Sequence, residues 1–300
     1  MWTEITRPKY RRDGLGYASG MTDDEWAVIA PLMPAPHKGR GRPRTTKLRA
    51  VVNAIFYIAQ SGCQWRMLPK DLPPYTPVQR YFYPWRNNGL WRQINHVLLM
   101  LAREAEGREA SPSAGVIDSQ SVKTTEAGGP RGYVASKKIK GRKRHILTDT
   151  TGLLVGAIVH EASVQDRDGA PRLLTTVRYG FPRLRHVFAD AGYASDKLKT
   201  ALKKIGKWTI EIVKRAQTTP GFHLIKRRSV VERTIAWLNR NRRCTRKLPW
   251  TRARVAGGSA FSMSVLGKRW GWEGNVGRGT RPGFQMTRRG RRSSSMAKIA

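Results

Sequence analysis

The sequence predicts a helical region followed by an α/β domain, with a basic tail at the carboxyl end. Three observations support this prediction. Apolar residues recur at helical spacing over 22–105, a polar stretch with Gly, Ser and Pro follows, and short apolar runs then alternate with helical segments. We therefore expect a helical region at 1–105, a linker at 106–114, an α/β domain at 115–246 and a disordered basic tail at 247–300.

The charge balance indicates the kind of partner. The chain has 300 residues, with 57 Lys+Arg against 20 Asp+Glu and a formal net charge of +37. Such a charge favours a polyanion, because each Lys or Arg that docks on a phosphate releases condensed counterions. No apolar run approaches the ~18 residues that span a bilayer, and no signal peptide or cysteine framework is visible. We expect a soluble cytoplasmic protein that associates with nucleic acid and not with a membrane.

The first region predicts four helices. Thr22 and Glu25 form a capping-box pattern ahead of the first helix, and Leu48 begins the apolar face of the second. Thr76-Pro77 is an expected helix start, and the proline at 84 is expected to kink or end that third helix. The fourth helix is predicted from Leu90 to Leu101.

The third helix is the candidate DNA-reading element. Arg80 and Arg86 lie on the face opposite its apolar stripe, and arginine is a residue type that contacts bases and phosphates. Short helices of this kind enter the major groove in helix-turn-helix proteins. A solvated helical bundle with a charged surface remains the alternative interpretation.

The second region predicts a mixed sheet. An apolar run ends at Asp118, two strands flank the turn at 150–152, and the strand at 184–189 ends at Asp190. Helical patterns follow at 168–179, 194–204 and 229–243, with a short strand at 209–213.

Three carboxylates are the candidate catalytic and metal-binding residues. Asp118 and Asp190 are predicted at strand ends, where sites are commonly built, and Glu232 lies on the last helix. A single such aspartate is usually a turn former, and Glu232 is one turn from Arg228, which also fits a simple ion pair. Together they suit Mg²⁺, which takes carboxylate oxygens together with substrate phosphates. Two such ions can activate a nucleophile and stabilise the leaving oxygen of a phosphodiester.

Other polar residues are weaker candidates. Asp166 and Asp168 resemble a metal loop but lack further oxygen ligands, and Asp149 is expected to be structural at its hairpin turn. His145 and His160 have no partner spacing for zinc. The basic run before His145 is expected to contact the DNA backbone, although a merely solvated charged surface is the alternative; its candidate contacts are Lys137, Lys138, Lys140, Arg142 and Lys143.

Several motifs resemble a known family. Asp118-Ser-Gln-Ser-Val-Lys123, Phe188-Ala-Asp-Ala-Gly-Tyr-Ala194 and Arg228-Ser-Val-Val-Glu232 are similar to the three catalytic blocks of bacterial insertion-sequence transposases of the DDE type, in particular the insertion-sequence-five family. Cys63-Gln-Trp-Arg-Met-Leu-Pro69 and Tyr81-Phe-Tyr-Pro-Trp85 resemble the DNA-binding part of that family.

The resemblance implies an RNase H-like catalytic domain in which Asp118, Asp190 and Glu232 hold two Mg²⁺ ions, with Mn²⁺ as a substitute. It also implies cleavage at terminal inverted repeats, strand transfer into double-stranded target DNA, and a homodimer on paired ends. In a bacterial cell, such a protein would associate with the nucleoid. Arg228 matches an arginine that contacts DNA near the scissile phosphate in related transposases.

The chain departs from the family pattern near its last helix. Ile225 stands where a tyrosine is usual and Asn239 where a lysine is expected, so Arg240 is the candidate replacement for that lysine. From about Cys244 the sequence turns rich in Arg, Gly and Trp, and we interpret this as a shifted reading frame. Two other functions stay open: a DNA-binding protein without catalysis, and a nuclease that does not transpose.

Overall fold

The protein is described by a computed structural model over residues 12–35, 45–123, 131–135, 137–213 and 226–244, with the backbone alone at 226–228 and 244. The predicted loop at 38–44 and the tail after 246 lie outside these ranges. Within them, four helices precede a six-stranded mixed sheet that carries helices on both faces. None of the described helices is both long and apolar enough to cross a lipid bilayer.

The amino-terminal helices pack around one apolar core. They are α1 (Asp23–Ile29), α2 (Leu48–Ser61), α3 (Tyr75–Asn87) and α4 (Leu90–Ala105). The predicted capping box is confirmed: Thr22 Oγ1 accepts from the Glu25 amide at 3.2 Å, and Glu25 Oε2 accepts from the Thr22 amide at 2.9 Å. The core includes the buried side chains of Val52, Ile55, Val78, Trp85 and Trp91.

Helix α3 differs from its prediction at both ends. It begins at Tyr75 after Pro74, so Thr76 lies inside the helix and is not its cap. Pro84 does not end it, since the helix continues to Asn87. Pro84 is exposed in the last turn and removes one helical hydrogen bond, while the buried Trp85 beside it anchors that turn in the core.

The sheet is built around two long strands. β1 (Ala114–Lys123) pairs antiparallel with β3 (Ile139–Asp149) and parallel with β5 (His186–Ala189). β6 (Thr209–Ile212) extends the sheet beyond β5, while β4 (Leu154–Glu161) and β2 (Gly132–Val134) both pair antiparallel with β3. β1 is longer than predicted, so Asp118 lies in the middle of the strand and not at its end.

Helices cover the two faces of this sheet. On one face α7 (Lys226–Asn239) packs through Val231, Ile235 and Leu238 against Val116 and Ile146. The opposite face is covered by α5 (Asp166–Val177) and α6 (Asp196–Gly206), joined there by Leu99 of α4. Because side chains alternate along a strand, neighbouring residues of β1 serve different faces.

Polar contacts tie the amino-terminal helices to the α/β region. Arg103 of α4 forms a buried ion pair with Asp149 at 2.5 Å, and Asn95 Nδ2 donates to the Leu154 carbonyl at 2.9 Å. Asp149 also accepts the backbone N–H groups of residues 151–153. Its predicted structural role at the hairpin turn is therefore confirmed.

Candidate active site

Asp118 and Asp190 line one pocket at the edge where β1 and β5 part. The parallel register pairs Val116 with Phe188, and each aspartate follows two residues later on its own chain segment. The lining of this small pocket also includes Val213 and Val231 of α7. The fold thus brings together two carboxylates that lie 72 positions apart by their residue numbers, 118 and 190.

Backbone amides orient both carboxylates. Asp118 Oδ1 accepts from the Ser119 amide at 2.7 Å. Asp190 caps the 3₁₀ turn at 191–193, and its Oδ1 accepts from the Gly192 amide at 3.0 Å. Both side chains are half-buried.

Glu232 is close to this pocket but does not line it. Val231, its neighbour, is fully buried against the sheet and forms part of the pocket wall. The Glu232 side chain is exposed on α7. Within the described ranges, no group of three or more His, Cys, Asp or Glu side chains is arranged to hold a metal ion.

The pair Asp118 and Asp190 nevertheless fits a hard divalent cation. Both residues line one small pocket, and Mg²⁺ is commonly bound by one or two carboxylates together with substrate phosphates. Carboxylate oxygen is also acceptable to Mn²⁺.

The predicted DNA-contacting cations fall into two groups. One group is exposed and consists of Arg80, Arg240, Lys137, Lys138 and Lys140. Of its three lysines, Lys137 and Lys138 lie between β2 and β3, and Lys140 lies at the start of β3. Arg86 is half-buried, with its guanidinium 5.0 Å from the ring centre of Tyr83. The side chain of Arg228 lies outside the described structure.

Arg142 and Lys143 correct the prediction for the basic run. Their residues are 1% and 6% exposed, because β3 begins at Ile139 and carries them into the centre of the sheet. Lys143 Nζ donates to Asp166 Oδ1 at 2.8 Å and to the Val164 carbonyl at 2.7 Å. The expectation that these two cations face a DNA backbone is therefore wrong for this fold.

A cluster of buried and half-buried polar residues next to Asp118 was not predicted from the sequence. It consists of Ser119, Lys143, His145, Asp166 and Tyr193. Ser119 Oγ donates to Asp166 Oδ1 at 2.7 Å, and the Tyr193 hydroxyl lies 3.2 Å from His145 Nδ1. The alternation of β1 places Asp118 toward α7 and Ser119 toward α5, but this signal is visible only once the pairing of β1 is known.

Burial and charge perturb the titration of this cluster. Burial, followed by the nearby His160, lowers the pKa of His145 to about 3. Burial alone would raise the pKa of Asp166, but hydrogen bonds from Lys143 and Ser119 lower it overall. Burial, reinforced by the charges of Asp166, Asp118 and Asp190, raises the pKa of Tyr193 well above its usual value. The cluster therefore contains a neutral imidazole, a neutral phenol and an ionised carboxylate at neutral pH.

Two family models match the chain. One, for transposases of the IS4/5 family, matches residues 21–95, which include α1 to α3. The other, the transposase DDE domain, matches residues 109–257 and so contains Asp118, Asp190 and Glu232. A DDE transposase domain implies an RNase H-like α/β fold, in keeping with the mixed sheet found here.

Three related proteins are informative. Over 118 residues the chain is 31% identical to an uncharacterized 16.2 kDa protein of insertion element IS402 from Burkholderia cepacia, covering 37% of this chain and 78% of that protein. It is 38% identical over 111 residues to a protein described as a transposase for the same element, covering 34% of this chain and 51% of that protein. An uncharacterized protein of Sinorhizobium fredii, y4sN, is 38% identical over 87 residues, covering 29% and 66%.

The α/β domain with its paired aspartates is thus a DDE-type transposase domain. The chain belongs to the IS4/5 family of insertion-sequence transposases, and the resemblance drawn from its motifs is confirmed.

Proposed function

We propose that the protein binds the terminal inverted repeats of an insertion sequence, cleaves DNA there with divalent metal ions and joins the freed end to target DNA. The observation that carries this proposal is the convergence of Asp118 and Asp190 on one pocket of the DDE domain. Related chains described as belonging to insertion elements support the choice of substrate.

Asp118 and Asp190 would hold Mg²⁺ or Mn²⁺, and Glu232 would be the third carboxylate. Bound divalent ions supply activation of the attacking oxygen and stabilisation of the leaving one. The residues of this chain would position the carboxylates. The amides of Ser119 and Gly192 orient the two aspartates, and the apolar packing of Val231 holds α7, which carries Glu232, against the sheet.

The DNA would be held by cations on both regions. Arg80 and Arg86 of α3 would contact the transposon end. Near the catalytic domain, contacts to the phosphate backbone would come from Lys137, Lys138, Lys140, Arg228 and Arg240. A homodimer would hold paired ends, and the net charge of +37 would keep the protein on the nucleoid.

A cleavage assay tests this function. Labelled DNA that carries the element's ends is incubated with wild type, Asp118→Asn or Asp196→Asn, in Mg²⁺ or in EDTA. Asp196 is the matched control because it is an exposed aspartate in the same domain, paired with Lys199 on the surface. We expect end-specific nicking by wild type and Asp196→Asn in Mg²⁺, and none by Asp118→Asn or in EDTA.

Two results would contradict the proposal. Binding of the ends without nicking under any condition would indicate a DNA-binding protein derived from a transposase. Nicking that does not depend on the ends would indicate a nuclease.

A further inference from the structure

Asp166 contacts both of the chain segments that carry Asp118 and Asp190. It lies at the first residue of α5, and its Oδ1 accepts from Ser119 Oγ at 2.7 Å. Ser119 directly follows Asp118, and its amide orients that carboxylate. The hydrogen bond from Ser119 to Asp166 therefore anchors β1 at the position next to Asp118.

The other oxygen of Asp166 lies against the turn that orients Asp190. A Cβ placed on Gly192 would be 3.3 Å from Asp166 Oδ2 and 3.1 Å from Asp190 Oδ1. Because the Gly192 amide donates to Asp190, a displacement of this turn would move the Asp190 carboxylate. Asp166 is thus packed between the supports of both aspartates.

Lys143 fixes Asp166 in this place. Its ammonium donates to Asp166 and to the Val164 carbonyl, and its side chain is 8% exposed while that of Asp166 is 24% exposed. A carboxylate that must turn toward a cation in the pocket would give up this ion pair. The geometry favours a support over a further metal ligand.

We propose that Asp166 is a positioning residue that, through Ser119 and the Gly192 turn, sets the separation of the Asp118 and Asp190 carboxylates. This inference rests on the proposed function of those two aspartates as the metal-binding pair. Loss of a supporting contact of this kind commonly reduces metal affinity or activity 10- to 100-fold.

Ser119→Ala is the most selective test because it removes one hydroxyl and leaves the ion pair between Lys143 and Asp166 intact. Ser119→Thr restores a hydroxyl at the same place and should rescue the effect. Asp168→Asn is the matched control, since Asp168 is two residues from Asp166 but is paired with Lys197 on the surface.

The first measurement is the rise in the thermal midpoint of the full chain with Mn²⁺, in the absence of DNA. We expect the half-saturating Mn²⁺ concentration to rise about tenfold in Ser119→Ala and to stay at the wild-type value in Ser119→Thr and Asp168→Asn. Asp118→Asn should abolish the response. A Ser119→Ala response equal to wild type, or a wild-type response that is absent or that survives Asp118→Asn, overturns the inference.

The second measurement is the nicking of end DNA. We expect the maximal nicking rate of Ser119→Ala to fall about tenfold while the half-saturating DNA concentration is unchanged. A purely structural role would instead lower the thermal midpoint without Mn²⁺ and weaken DNA binding together with nicking. If Mn²⁺ binding behaves as expected but wild type does not nick, the positioning role stands and the proposed function fails.

Discussion

Lowering the pH from 8 to 5 should destabilise the fold through His145. This side chain is 0% exposed, and burial with the adjacent His160 lowers its pKa from 6.5 to about 3. A depressed pKa means that the unfolded chain binds the proton more readily than the folded protein does. The stabilising contribution is therefore fully present above pH 6.5 and is lost as the pH falls from 6.5 toward 3.

The magnitude follows from the size of the shift. Each pKa unit corresponds to about 1.4 kcal/mol, so the full loss, which is reached below pH 3, is roughly 5 kcal/mol and the loss at pH 5 is about 2 kcal/mol. The latter is a large part of the roughly 5–15 kcal/mol by which folded domains are stable.

Urea unfolding at pH 8 and pH 5, at constant ionic strength, measures this effect. His145→Gln removes the titrating group, and between the two pH values it should lose about 2 kcal/mol less unfolding free energy than wild type. Tyr193→Phe is the control, because it deletes the hydroxyl beside His145 but leaves the imidazole buried, and so it should keep the wild-type difference. Equal losses in wild type and His145→Gln would refute the claim that the fold holds a neutral His145.

Two further predictions concern the contact of α4 with the α/β region and the contact between β1 and β3. Arg103→Met should lower the unfolding free energy by about 3 kcal/mol, because it leaves the fully buried Asp149 without its ion-pair partner. Urea unfolding measures this loss, and a change below about 1 kcal/mol would show that the ion pair adds little stability. Gly141→Ala should cost about 2 kcal/mol or more, because a Cβ there would lie 2.0 Å from the Val122 carbonyl oxygen; an unchanged thermal midpoint would contradict this register of β1 and β3.

The sequence predicted those elements whose signals are local. The capping box at Thr22 needs residues only three positions apart, and the hairpin of β3 and β4 is specified by the turn at 150–152. The sequence patterns gave wrong predictions where tertiary packing determines the local structure. Trp85 holds the last turn of α3 in the core although Pro84 precedes it, and the polar half of β1 remains a strand because its backbone pairs with β3.

The basic run before His145 shows why composition alone misplaced two site residues. Charged side chains are rarely buried, so the composition of this run predicts a segment that faces solvent. In the fold, Lys143 is buried because Asp166, 23 residues later, supplies an anion next to it. His145 and His160 likewise meet across β3 and β4, with ring centres 4.7 Å apart. Such pairings depend on strand register, which is not visible in the spacing of either residue.

The charge arrangement around the pocket has a consequence for cation binding. Three aspartates, at 118, 166 and 190, are close enough to raise the pKa of Tyr193 together. Lys143 is ion-paired with Asp166 at 2.8 Å, and the pocket is lined by Asp118 and Asp190 but not by Asp166. Under the proposed function, Asp118 and Asp190 would share divalent cations with a phosphate, while Asp166 would serve as their anchor. On that proposal, the buried Lys143 would contribute to the site by holding Asp166 away from a bound metal ion.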